Sequence, residues 1–165
     1  KVMLRKIKCN LISVLVGISL QTFSTSYAHE IDLKEISIKH PMIPIFHSKM
    51  KTAAGYFTIV NKRNKTDELI MVKTDFAKAM MHLSKIDENG IVSMEHVNKV
   101  IIPGNSSVVF EQGSLHIMFT QLKEPLEEYM DQKVTLVFKN LGEIVVDFQV
   151  EKVTQKMNMK NNHDH

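Results

Sequence analysis

Past residue 30, apolar residues recur with a period of two over most of this chain. Leu115, Ile117 and Phe119 alternate with His116, Met118 and Thr120, and Ile144, Val146, Phe148 and Val150 repeat the pattern. That spacing puts alternate side chains on opposite faces of an extended strand. No stretch carries a convincing helical period. The chain must therefore build its core from sheets.

The turns punctuate this pattern. A first strand spans His29 to Ile38 and ends at His40-Pro41, and Pro41 to Thr52 reads as irregular. Ala54 to Asn61 is a strand, and Leu69 to Val72 a short buried one. Ala79 to Ile86 and Ile91 to Val97 form a hairpin around Asp87-Glu88-Asn89-Gly90, because Asn-Gly tolerates positive φ. Val100 to Ile102 and Ser107 to Glu111 follow, and Lys133 to Lys139 with Ile144 to Glu151 make a last hairpin. Lys123 to Gln132 is polar, contains Pro125, and reads as a loop or a short turn of helix. About nine short strands closely spaced by turns predict a single all-β domain, a sandwich or barrel.

The two ends differ in composition from this domain. Residues 1–28 read as a secretory signal: basic Lys1, Arg5, Lys6 and Lys8, an apolar run from Leu11 to Leu20, and Ser26-Tyr27-Ala28 as the cleavage site. The run is too short for a bilayer span, which takes about 20 residues. Its removal leaves a domain over 29–152 and a tail over 153–165, exported to the periplasm with no membrane span. Four basic and no acidic residues leave with it, so the formal net charge moves from +3 to −1. No basic patch for nucleic acid remains. The single cysteine, Cys9, lies in the signal, so the exported part has neither thiol nor disulfide. All eight histidines and ten of eleven methionines remain.

Those two residue types meet at His116-Ile117-Met118. Strand alternation places the imidazole and the thioether side by side, away from the face of Ile117 and Phe119. Alone, the pair reads more readily as a surface histidine and a packing methionine than as ligands. His82 and Met94 flank the Asn-Gly turn. With a three-residue loop, Glu88-Asn89-Gly90, and Gly90 left-handed, Ser84 faces Met94 and His82 faces His96, all on one side. A two-residue turn would shift the register by one and separate the faces. His82, Met94, His116 and Met118 then form a candidate four-ligand set. Neutral imidazole and thioether suit Cu(I). A blue-copper electron carrier requires a cysteine ligand, and a closed four-ligand site leaves no open position for catalysis. Carriage rather than an enzyme is the expectation.

At these residues the sequence resembles the periplasmic Cu(I) chaperones called PCu(A)C. Their signature is His or Met, ten residues, Met, twenty-one residues, then His-x-Met, and Met94 and His116-Ile117-Met118 reproduce the second spacing. Ala54-Gly55-Tyr56-Phe57-Thr58, Asn89-Gly90, Ile102-Pro103 and Leu122-Lys123-Glu124-Pro125-Leu126 also look like the family. The first spacing departs from it: eleven residues separate His82 from Met94, and strict counting lands on Leu83. Met81 and His96 are the substitutes for His82. The resemblance implies a cupredoxin-like β-sandwich or Greek-key barrel, a monomer. It also implies delivery of copper to the copper-bearing subunit of a cytochrome c oxidase, or to its assembly factors.

Other donors stand outside this set. Met157, Met159, His163 and His165 make the tail either a second site, for Cu(II), or a solvated end. His40, Met42, His47 and Met50 are a weaker group, and cleavage after Ala28 would leave a chelating His29. The alternatives to delivery are periplasmic copper sequestration, a copper-dependent redox enzyme, and a metal-free β-sandwich assembly module.

Overall fold

The computed structural model describes residues 31–153. The signal, His29 and the tail donors Met157, Met159, His163 and His165 lie outside the described residues. Within them the chain forms eleven strands and no helix: β1 (Ile31–Asp32), β2 (Ile36–Ile45), β3 (Thr52–Asn61), β4 (Asp67–Lys73), β5 (Lys78–Ile86), β6 (Val92–His96), β7 (Val100–Ile102), β8 (Ser106–Phe110), β9 (Leu115–Thr120), β10 (Asp131–Phe138) and β11 (Gly142–Lys152). They join in the order β6-β5-β9-β3-β2-β11-β10-β4-β7, with β1 beside β2 and β8 beside β3. The sheet curls on itself and brings β4 against β5. This is the all-β, single-domain architecture expected from the period of two.

The buried members of each alternating set fill the interior. Ile117, Phe119, Val146, Phe148 and Val150 are fully buried. Phe57 stacks on Phe110 with ring centroids 4.3 Å apart and meets Phe148 edge-on at 5.3 Å. Each such ring stabilises the fold by about 2 kcal/mol through the apolar surface it removes from water. Gly55 makes room for two of these rings. A Cβ there would stand 2.8 Å from the Phe119 ring and 3.2 Å from that of Phe148.

Two local expectations are corrected, and one open alternative is decided. The first strand does not end at His40-Pro41. It is split into β1 and β2, and β2 runs on to Ile45, with Ile43 and Ile45 buried. His40 takes φ 51°, and the pairing with β3 slips between Lys39 and Met42. The prolines stand where β2 changes neighbours: it pairs with β3 up to Met42 and, in parallel, with β11 from Met42 to Ile45. A missing N–H is tolerated where one edge has no ladder. Of the two readings of Lys123 to Gln132, the loop holds up to residue 130, and Asp131 and Gln132 already belong to β10. Pro125 and Tyr129, at φ 68°, keep the segment irregular, and buried Leu126 anchors it. Finally, β4 is not buried throughout. Its pairing with β10 slips beside Leu69, and Ile70 and Met71 are 40% and 50% exposed.

Candidate metal centre

β9 lies between β3 and β5, and β6 closes that edge of the sheet. The β5–β6 turn sets the geometry. Asp87 N–H donates to the Ile91 carbonyl at 3.0 Å, Gly90 N–H donates to the Asp87 carbonyl at 3.0 Å, and Gly90 takes φ 79°. The Asp87 carboxylate also accepts the N–H groups of Asn89 and Ile91 at 2.9 and 2.8 Å. The loop is thus Glu88-Asn89-Gly90, and its register is the one that the ligand reading demands: Ser84 opposite Met94, and His82 opposite His96.

Across β5 and β9 the pairing continues the row. His82 faces His116, and Met80 faces Met118, which in turn faces Ala54 of β3. By alternation, Met80, His82, Ser84, Met94, His96, His116 and Met118 share the face opposite the core. Met81 and Leu83 lie on the other face, where Met81 is buried. This removes Met81 as a substitute ligand, and explains how a spacing of eleven residues keeps a histidine on the correct side where ten would give Leu83.

The imidazoles are not equivalent. His116 is 5% exposed, although it stands away from the core, so it is not a surface histidine. Its Nδ1–H donates to the Ser114 carbonyl at 3.0 Å. A carbonyl only accepts, so this bond fixes the tautomer and leaves the Nε2 lone pair available to a metal. His82 sits between the other two, with ring centroids 5.8 Å from His116 and 5.9 Å from His96. Burial, then the proximity of His116 and His96, lowers its pKa below the usual histidine value and keeps it neutral. Its Nδ1 is buried without a hydrogen-bond partner. Such an atom costs about 1–3 kcal/mol unless something satisfies it.

Sulfur surrounds this row. Met118 is half-buried on β9, and Met94 is 59% exposed on β6. Met80 was not among the candidates, although its place two residues before His82 signals the same face. Among the described residues, no three imidazole, thiol or carboxylate groups converge enough to hold a metal by themselves. A metal on this face therefore draws on thioether as well as imidazole, a neutral and soft donor set. In the weaker group, His40 occupies the β2 bulge and the Met50 sulfur accepts the Phe46 N–H at 3.4 Å.

The comparisons agree with this architecture. The copper-bound PCuAC domain from PmoF2 superposes with a TM-score of 0.63 at 24% identity, over 76% of this chain and 99% of that one. The apo PCuAC domain from PmoF1 gives 0.65 at 24% identity, over 76% and 100%. Cu(I)-DR1885 from Deinococcus radiodurans gives 0.55 at 22% identity, over 67% and 74%. The fold is that of the PCuAC domains. In sequence, the chain is 30% identical over 103 residues to the uncharacterized protein RP573 of Rickettsia prowazekii (strain Madrid E), over 62% of this chain and 57% of that protein. The match thus spans little more than half the length of that relative. The LpqE-like family matches residues 36–150, and the chain belongs to it.

Proposed function

We propose that this protein is a Cu(I) carrier of the periplasm, not an enzyme, and that it supplies copper to the copper centre of a respiratory cytochrome oxidase. His82, Met94, His116 and Met118 hold the cargo. The observation that carries this reading is the unpartnered, buried Nδ1 of His82, set beside His116 on a face that also presents thioethers. A second ring proton is a poor partner for it, because burial and two neighbouring imidazoles disfavour charge. A soft monovalent cation with neutral ligands costs less to place there than Cu(II) or Zn(II). Support for copper also comes from the fold's likeness to a copper-bound PCuAC domain and to Cu(I)-DR1885.

The oxidase role is what the resemblance to the PCu(A)C chaperones implies, and the ligand chemistry is compatible with it. A site without thiolate suits an oxidising space, and thioethers exchange with a stronger acceptor. Deleting the gene is expected to lower oxidase activity at scarce copper, with recovery on added copper. Normal oxidase at low copper, together with heightened sensitivity to high copper, would refute delivery and favour sequestration.

A further inference from the structure

β6 covers only part of β5. Its pairing runs from Ile86 opposite Val92 to His82 opposite His96. Val97 N–H then donates to the Met81 carbonyl at 2.9 Å, and the chain crosses to β7, where Val100 pairs with Leu69 of β4. The start of β5 is left without a strand on that side. Between it and β4 lies a cleft of about 200 Å³.

The cleft is lined by Met71 from β4, Met80 from β5 and His96 at the end of β6. None of its lining residues is charged. Met71 is half exposed because the slip in β4 turns it outward, so it contributes little to packing. A hard divalent ion would find neither oxygen ligands nor compensating charge here. One imidazole and two thioethers are a neutral, soft, three-donor set. The cleft also adjoins the first centre, since Met80 faces Met118 and His96 faces His82.

We propose that this cleft is a second Cu(I) position, held by His96, Met71 and Met80, through which cargo passes on its way to or from the first centre. The proposal rests on the reading of His82, Met94, His116 and Met118 as a Cu(I) site. It gives His96 a task distinct from that of His82: an exposed imidazole meets the incoming ion, and the more buried pair of His82 and His116 retains it.

The test is an anaerobic Cu(I) titration of the full chain, followed by NMR of ¹³C-labelled methionine methyl groups. Cu(I) is diamagnetic, so the signals survive. The first equivalent is expected to shift Met94 and Met118, and a later, weaker one to shift Met71. In M71L/H96A, which alters only exposed side chains, the first set of shifts persists and one later equivalent is lost relative to wild type. A Met71 signal unmoved by further equivalents, with Met94 and Met118 shifted normally, overturns the cleft alone. Loss of the first equivalent in M71L/H96A also overturns it, because His96 would then belong to the first centre. Met94 and Met118 unmoved throughout would instead fail the underlying reading.

Discussion

His82 on β5 and His116 on β9 stand directly opposite each other, with ring centroids 5.8 Å apart, and the buried Nδ1 of His82 has no hydrogen-bond partner. A buried imidazole and a partly buried one at this separation have little to offer a sheet. They have much to offer a cation that accepts nitrogen and sulfur.

The thioethers are tested by M94L/M118L. Leucine nearly preserves volume and apolarity, so the fold is retained. Cu(I) affinity is expected to fall at least about a hundredfold, or ~2.7 kcal/mol. A competition titration with a chromophoric Cu(I) chelator measures it. Unchanged affinity would sink the assigned ligands.

His82 and His96 separate in two experiments. H82A is expected to abolish tight Cu(I) binding, whereas H96A leaves it in place. Acid stability gives the second test. The pKa of His82 is lowered in the fold, while the unfolded chain takes up its proton near pH 6.5. The stability tied to its neutral form is complete above that value and is lost as pH falls through the depressed folded pKa. Urea melts of the metal-free protein should therefore weaken on acidification below about pH 6.5, and less so in H82A. Identical pH profiles would contradict the assigned environment.

Asp67 tests the frame rather than the site. It is 1% exposed and accepts the N–H groups of Glu68, Asn140 and Leu141, the Asn140 amide and the Arg63 guanidinium. These bonds tie the start of β4 to the β10–β11 turn. D67A removes a buried carboxylate that five partly buried donors share and is expected to destabilise the fold by about 3–5 kcal/mol. Cu(I) affinity, measured where the variant is still folded, should not change.

Gly55 is a test of packing next to the centre. Alanine would press on Phe119 and Phe148, an overpacking cost of about 1–3 kcal/mol. Thermal melting reads that cost. A G55A variant as stable as wild type would show that the rings relax without strain.

The sequence carried the parts of this structure that depend on local chemistry. Asn89-Gly90 marked the turn, because Gly90 supplies the positive φ that a three-residue loop requires, and the register of His82 and Met94 followed. The period of two marked both faces of β9. What it did not carry depends on neighbours distant in the chain. Pro41 looked like an ending because nothing local says that β2 exchanges β3 for β11 at that point. Ile70 and Met71 looked buried because the slip against Val137 and Phe138 of β10 is a property of the pair. Met80 was hidden beside Met81, since two adjacent methionines do not announce which of them faces the core.

The Asp87 carboxylate, at the far end of the hairpin from His82, has a bearing on retention and release. β6 has β5 as its neighbour, and all five of its residues are exposed, so its register rests on the ladder with β5, the Lys85–Glu95 ion pair and the turn rather than on burial. As a proposed ligand, Met94 shares the face of His82 only while that register lasts. Observed affinity is the intrinsic affinity scaled by the fraction of time spent in the competent arrangement. On the proposed reading, the two backbone N–H groups held by Asp87 would contribute to how firmly the cargo is gripped. Over evolutionary time, a lineage could retune the carrier between hoarding and giving by editing a turn that never meets the metal.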